Sequence, residues 1–277
     1  MSSVPERATR VALTIAGSDS GGGAGIQADL KAFARCGVHG TCAITAITAQ
    51  NTVGVTAIHP LPPEIVLAQV RAVLADIRVD AVKVGMLGTA PVTLAVAGAL
   101  DELPAGIPVV VDPVMVAESG ARLLDPDAQR ALVDEILPRA TVLTPNLPEA
   151  RVLAGELPEA AGEDEEAEAL ARAVLALGPR VVVLTGGHRT RVVDLFVDGA
   201  GAAVEIEGER HAHGAAHGSG CTHSSILAAQ LALGSSPLEA ARAARRVAGV
   251  AVAAGLRDVG AGAGPVDVIG LARMRAG

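Results

Sequence analysis

Short runs of β-branched and apolar residues alternate with longer segments of helical period along the whole chain, and that alternation leaves few folds open. Val11–Ala16, Cys42–Thr48, Ala81–Val84, Pro108–Val111, Thr141–Leu143 and Val181–Leu184 read as strands. Between and after them Gly25–Cys36, Pro63–Ala75, Pro91–Leu100, Pro126–Leu137, Leu147–Ala154 and Glu163–Leu177 read as helices. Val192–Val197 and Ala202–Ile206 look like an antiparallel pair around Asp198-Gly199. Ser219–Leu233 and Leu238–Ala254 are helical, with a short helix near Val266–Arg275. Continuously apolar strands separated by helices need cover on both faces, so the expected class is α/β, with a mostly parallel central sheet between two helical layers. No linker splits the chain, because the acidic stretch Glu156–Glu168 has the spacing of an exposed helix. One domain over 1–277 is expected, with residues 1–10 as a flexible N-terminus.

Composition removes whole classes of function. The chain has 277 residues, of which 50% are hydrophobic and 19% charged, too apolar for a disordered protein. A net charge of −8 argues against nucleic-acid and anionic-membrane partners, which need clustered Lys and Arg. No run approaches the roughly 20 apolar residues of a membrane span, and the opening MSSVPERATR lacks a signal-peptide core. Cys36, Cys42 and Cys221 stand at scattered spacings that fit neither a disulfide framework nor a zinc site, so a cytoplasmic enzyme is expected. The aromatic residues are Phe33 and Phe196 alone, so a bound heterocycle must be held by aliphatic, Met or His side chains.

In an open parallel sheet, ligands bind beyond the carboxyl ends of the strands. The residues just past each predicted strand are therefore the first candidates. They include the loop 17–29, GSDSGGGAGIQAD; Ala49-Gln50-Asn51-Thr52; Gly85-Met86-Leu87-Gly88; Asp112-Pro113-Val114-Met115; Thr144-Pro145-Asn146; and Thr185-Gly186-Gly187-His188. Neither Gly-x-Gly-x-x-Gly nor the P-loop pattern occurs, so the first glycines read as backbone that lets a small substrate come close. Asp29, one turn into the next helix, is either a solvated acid or an acceptor for an amine or hydroxyl. Gln50 carries a donor and an acceptor, matching the edge of an aminopyrimidine or satisfying its own loop. Asn146 and Glu149 share one face of a helix start and, with Asp112, could hold Mg²⁺ against nucleotide phosphates; Asn146 also suits the helix cap.

The turn Ala216-His217-Gly218-Ser219-Gly220-Cys221-Thr222 runs straight into a helix. Such a turn aims backbone N–H groups at one point beside the positive end of a helix dipole, which suits a phosphate or a phosphoryl group in flight. His217 reads as a loop residue near that phosphate, while His211, His213 and His223 read as surface or packing residues, since no spacing makes a His-based zinc site.

Several blocks, in order, resemble the hydroxymethylpyrimidine/phosphomethylpyrimidine kinases of thiamine biosynthesis. They are TIAGSDSGGGAGIQADLK at 14–31, TAQNT at 48–52, VGML at 84–87, DPVMV at 112–116, LTPNLPEA at 143–150 and HGSGCT at 217–222. The resemblance implies a ribokinase-like three-layer fold and two ATP-dependent, Mg²⁺-assisted phosphorylations, first of 4-amino-5-hydroxymethyl-2-methylpyrimidine and then of its monophosphate. It places Gly17, Ala24, Asp29, Gln50, Met86 and Val114 in the pyrimidine pocket. Gly218, Ser219 and Gly220 fall on the anion hole and Cys221 on the catalytic position, while Thr185, Gly187 and His217 fall on the nucleotide side. The partners implied are the small-molecule pyrimidine and ATP, and the expected assembly is a homodimer. A helix N-terminus can draw a thiol toward neutrality, and phosphoryl transfer leans on positioning more than on a strong base. Cys221 can therefore orient the hydroxyl as a weakly basic thiolate, or it can mainly shape the site. Three positions depart from the family pattern: Thr185 stands where Lys is often found, Ser219 where Thr is commoner, and Gly260–Pro265 is a shortened glycine-rich loop. A pyridoxal/pyridoxine kinase and a non-catalytic pyrimidine sensor remain the alternatives.

Overall fold

The structure, a computed structural model, describes residues 9–117, 120–121, 123–155, 162–187, 190–211 and 214–274. His188, His213, Arg275 and nearly all of the expected flexible N-terminus lie outside the described residues.

Ten strands are present among the described residues: β1 (Val11–Ala16), β2 (His39–Ile44), β3 (Ala46–Gln50), β4 (Val55–Pro60), β5 (Ala81–Val84), β6 (Val109–Val111), β7 (Val142–Leu143), β8 (Val181–Leu184), β9 (Val193–Asp198) and β10 (Ala203–Glu207). Eight of them form one sheet in the order β10-β9-β8-β7-β6-β5-β1-β2. Pairings from β2 through β8 are parallel, and β9 pairs antiparallel with both β8 and β10. The helices are α1 (Gly25–Arg35), α2 (Pro63–Asp76), α3 (Ala90–Asp101), α4 (Pro126–Ala131), α5 (Leu147–Ala154), α6 (Glu163–Leu175), α7 (Ser219–Ala232), α8 (Pro237–Ala253) and the short α9 (Leu271–Met274).

Strand parity assigns each side chain to a layer, because successive residues point to opposite faces. Leu13, Ile15, Val82, Val84, Val111, Leu143, Val182 and Leu184 build one core, with Val66 and Val70 of α2, Val92 and Val96 of α3, and Leu170 and Val174 of α6. Ala12, Ala81, Val110, Val142, Val181 and Val183 build the other, against Phe33 of α1, Ile226 and Leu227 of α7, and Ala240 and Ala244 of α8. Each fully buried Val or Leu contributes roughly 1.5–3 kcal/mol, which is why strands with no polar face are stable only in this sandwich. The same parity sends Thr14 and Lys83, neighbours in the β1–β5 register, into the α1/α7 layer.

Three expectations are corrected. The single strand expected over Cys42–Thr48 breaks at buried Thr45, whose hydroxyl donates to the Met86 carbonyl at 2.7 Å. The chain then leaves the main sheet as β3 and pairs with β4 in a separate two-stranded ribbon, which the sequence reading did not include. The helix expected over Pro126–Leu137 is α-helical only to Ala131; its turns widen to π form over Leu132–Ile136 and tighten to 3₁₀ form over Leu137–Arg139, where Pro138 supplies no N–H. Of the helix expected near Val266–Arg275, the described part begins only at Leu271. Asp267 Oδ1 accepts from the Gly270 and Leu271 N–H groups at 2.9 and 2.8 Å, and Val266 is occupied with the His217 carbonyl.

Candidate active site

A cavity of about 380 Å³ opens beyond the carboxyl ends of β1, β5, β6, β7 and β8. Its first wall is the loop after β1, gathered around Asp19. The Asp19 carboxylate accepts from the backbone N–H groups of Gly21, Gly23 and Ala24 at 2.7, 3.0 and 2.8 Å, and bonds His217 Nε2 at 2.9 Å. Burial works to raise the Asp19 pKa, but the His217 bond and the loop N–H groups outweigh it and hold the carboxyl below its ordinary value. Two glycine turns interlock here. Gly218, the N-cap of α7, has φ 79°, and a Cβ on it would lie 1.7 Å from the Gly23 carbonyl oxygen. His217 is accordingly buried at 6% exposure, and it ties the first loop to the second.

The cavity wall also includes a lysine that the sequence reading passed over. Lys83 is fully buried, and its ammonium donates to Asp29 Oδ1 and Oδ2 at 3.0 and 3.2 Å and stands 3.8 Å from Asp112 Oδ2. Burial alone would lower the Lys83 pKa, but the Asp29 and Asp112 carboxylates raise it, so it is a permanent cation. Asp29 is also fully buried and accepts from the hydroxyls of Thr14 at 2.6 Å and Ser225 at 2.7 Å. It is neither a solvated acid nor part of the cavity wall, so its expected substrate contact is replaced by an internal one. The signal was available: a lone charged residue inside the apolar strand Ala81-Val82-Lys83-Val84, which parity aims at the helix carrying Asp29.

Cys221, in the first turn of α7, lines the cavity and accepts from the Gly25 backbone N–H. Burial pushes its thiol up to about 12; Lys83 and the Gly25 N–H oppose this, while the Asp112 and Asp29 carboxylates add to it. As a residue Cys221 is half-buried in this wall. At neutral pH it is a thiol, contrary to the expectation that the helix terminus draws it toward neutrality.

Asp112, Asn146 and Glu149 reach the same wall. Asn146 Oδ1 accepts from the Glu149 N–H at 2.8 Å, and Glu149 Oε2 accepts from the Asn146 N–H at 2.9 Å, a capping box at the start of α5. Burial and then the Asp112 charge push Glu149 up to about 8. Burial likewise raises Asp112, against Lys83 and a 3.0 Å bond from Ser224 Oγ. Two desolvated carboxyl groups that disfavour each other's charge make an oxygen-rich place for a cation.

The two ends of the cavity differ in character. Gly17, Ala24, Gln50, Met86 and Val114 line one end, with aliphatic Val116 and Leu123. Gln50 Oε1 accepts from Thr48 Oγ1 at 3.2 Å, and a Cβ on Gly17 would fall 2.9 Å from Met86 Sδ, so that glycine makes room for the methionine. Thr185, Gly187, His223 and Arg245 line the other end. Thr185 bridges Asn146 of the neighbouring segment, its N–H donating to the Pro145 carbonyl at 2.8 Å. His223, expected at the surface or in packing, is buried beside Asp194 at this end. The turn Gly218-Ser219-Gly220 lies between the two ends as wall residues, and every other expected site residue except Asp29 also reaches the cavity. Among the described residues no group of three His, Cys, Asp or Glu side chains gathers to hold a metal alone, and no helix is long and apolar enough to cross a membrane.

Comparison with known proteins gives the chain its relatives. The family model described as phosphomethylpyrimidine kinase matches residues 19–267. A hydroxymethylpyrimidine/phosphomethylpyrimidine kinase from Rhizobium meliloti is 48% identical over 261 residues, covering 93% of this chain and 96% of the relative. The crystal structure of phosphomethylpyrimidine kinase from Clostridium difficile superimposes with a TM-score of 0.74 at 38% identity, covering 86% of this chain and 97% of that one. The pyridoxal kinase of Staphylococcus aureus in complex with AMP-PCP and pyridoxal superimposes with a TM-score of 0.85 at 33% identity, covering 97% and 96%.

Proposed function

Since the chain belongs to the phosphomethylpyrimidine kinase family and has its ribokinase-like fold, we propose that it is a phosphotransferase acting on 4-amino-5-hydroxymethyl-2-methylpyrimidine and then on the monophosphate, with ATP as donor. One observation carries the reading: the α7 N-terminus opens at Gly218 onto a cavity whose one end is the Gln50, Met86 and Val114 wall and whose other is the Thr185–Gly187 edge. The Gln50 amide offers a donor and an acceptor to an aminopyrimidine edge, and Met86 and Val114 offer flat aliphatic cover. The first-turn N–H groups of α7 suit a transferring phosphoryl group, whose charge must be met by fixed dipoles.

Mg²⁺ fits Asp112 and Glu149, both hard oxygen donors raised in pKa by burial. Because Mg²⁺ takes one or two carboxylates together with substrate phosphates, the lack of a closed ligand cage among the described residues suits it. The bound ion would supply charge neutralisation at the phosphates. Cys221, a protonated thiol, would orient the hydroxyl that attacks rather than deprotonate it, as a loose phosphoryl-transfer transition state allows. His217 would act on the nucleotide side by holding the Gly23–Gly218 junction. A single kinase domain, a homodimer and a cytoplasmic location complete the proposal.

Pyridoxal phosphorylation is the second reading, favoured by the closer superposition on the pyridoxal kinase. Purified protein should be incubated with Mg-ATP and either the pyrimidine or pyridoxal, and the products weighed. Addition of one and then two phosphates to the pyrimidine is expected. Turnover of pyridoxal alone would overturn the first reading, and tight pyrimidine binding without turnover would make the chain a sensor.

A further inference from the structure

The nucleotide end of the cavity holds a polar cluster with an open valence. His223 lies one turn inside α7 and is 4% exposed. Its Nε2 is fixed to Asp194 Oδ2 at 3.1 Å, while its Nδ1 is buried without a hydrogen-bond partner. Asp194 is fully buried and also accepts from the Gly186 N–H at 2.9 Å and from Arg245 Nη1 at 3.5 Å. Gly186 packs directly against Val193, since a Cβ there would lie 2.0 Å from the Val193 carbonyl oxygen. One carboxylate therefore holds together the loop after β8, the start of α7 and the side of α8. Burial works against its charge, but His223 and Arg245 more than compensate and keep it ionised.

Polar groups buried in this way normally have partners, and an orphan ring nitrogen loses free energy that a ligand atom can return. His223 belongs to the cavity wall together with Thr185, Gly187 and Arg245, so a ligand can supply that partner. With Nε2 donating to Asp194, the ring offers Nδ1–H when it carries both protons and a lone pair when it carries one. Arg245, the α7 dipole and the adjacent glycine turn all favour an anion here.

We propose that His223, oriented by Asp194, is a phosphate-contacting residue of the nucleotide site, donating from Nδ1 to a phosphate oxygen of the bound nucleoside polyphosphate. The inference rests on the kinase reading above and adds to it a residue that the glycine turn and Cys221 do not include.

Calorimetric titration of adenosine, AMP, ADP and AMP-PCP into the wild type, His223→Gln and His223→Asn tests it. Glutamine reproduces the Nε2 donor to Asp194 and deletes the Nδ1 position; asparagine places an amide nitrogen near Nδ1. A charge-assisted hydrogen bond predicts that His223→Gln weakens ADP and AMP-PCP binding about 10- to 100-fold. Adenosine binding should stay unchanged, and His223→Asn should recover part of the loss. Equal loss for adenosine and ADP would assign the ring to the nucleoside, and full affinity in His223→Gln would leave it only a structural role; either result overturns the proposal. Melting of the unliganded variants separates a folding defect from a binding one. If the wild type binds ADP but the variants behave alike, this inference alone falls. If the wild type binds no nucleotide, the kinase reading falls with it.

Discussion

Replacing Lys83 by methionine should strip the charge balance from the cavity wall while nearly conserving volume. The ammonium now lies 3.0 and 3.2 Å from the two Asp29 oxygens and 3.8 Å from Asp112. Without it, Asp29 keeps only the Thr14 and Ser225 hydroxyls, and Asp112 keeps Ser224. Removing one member of a buried ion pair costs about 3–5 kcal/mol, whereas the change of shape from Lys to Met adds little, so the charge term decides the outcome. At ~2–4 °C per kcal/mol for a chain of this size, the melting temperature should fall by roughly 6–20 °C. Denaturant unfolding at pH 7.5 of Lys83→Met, Asp29→Asn and the double variant measures the coupling, and the double variant should be more stable than the sum of the single losses implies. The gap should also depend on pH. Asp112 already has a raised folded pKa, so its favourable contribution is present at low pH and drains as pH rises through that value. Deleting the cation raises it further, so the gap between wild type and Lys83→Met should widen from pH 5 to pH 8. Loss below about 1 kcal/mol, or strict additivity with Asp29→Asn, would refute the account. Lys83→Arg should not rescue, because Gly85 leaves room for Nζ alone: a Cβ there would already lie 2.8 Å from it.

Further outcomes follow from single contacts. Gly218→Ala combines a left-handed φ of 79° with a Cβ 1.7 Å from the Gly23 carbonyl oxygen, so it should abolish nucleotide binding and phosphoryl transfer together; normal KM for ATP in this variant would contradict the interlocked turns. Cys221, with its thiol pushed up to about 12, should react with iodoacetamide at pH 7.5 roughly 10³-fold more slowly than an ordinary free thiol, and Cys221→Ser should keep more activity than Cys221→Ala. Rapid alkylation at this residue would restore the thiolate reading. Glu149, raised to about 8 from an ordinary value of about 4.3, stabilises the protonated fold at low pH and loses that contribution as pH rises toward and through 8. In metal-free buffer Glu149→Gln should flatten the fall in melting temperature between pH 5 and 9, and an unchanged slope would mean the carboxyl is solvated.

The sheet was legible because its strands have no polar face. Val181–Leu184 and Ala81–Val84 coincide with their expected bounds, as does Leu147–Ala154, where Asn146 and Glu149 announce the cap. The ribbon β3–β4 was not, although Gly54 followed by Val55, Thr56 and Ile58 is an ordinary hairpin signal. The residues of β4 are half-exposed or exposed, with Ile58 at 37%, and β3 buries only Ala46 and Thr48, so the ribbon lacks the continuous apolar run that marks the buried strands. Pattern reading follows burial, and a ribbon standing off the sheet has little of it.

Side-chain charge was harder to read than backbone placement, for a reason that Cys221 and Asp29 make concrete. A glycine turn ahead of a helix fixes where N–H groups point, so the anion-friendly turn could be inferred from local spacing alone. A pKa depends on every group packed nearby, and those around Cys221 arrive from α1, β5 and β6 as Asp29, Lys83 and Asp112. Their residue separations are large, and no local pattern reveals the sum. The helix terminus argued for a thiolate, but burial and two carboxylates win over one ammonium and one N–H, leaving a thiol. Asp29 failed in the complementary way: its position one turn inside α1 was right, yet α1 turns that residue under the cavity toward Lys83 instead of into it. The cation and its two acids then act as one unit, holding the floor on which Cys221 stands, and substitutions among them should show non-additive losses where changes on the Gln50 wall should not.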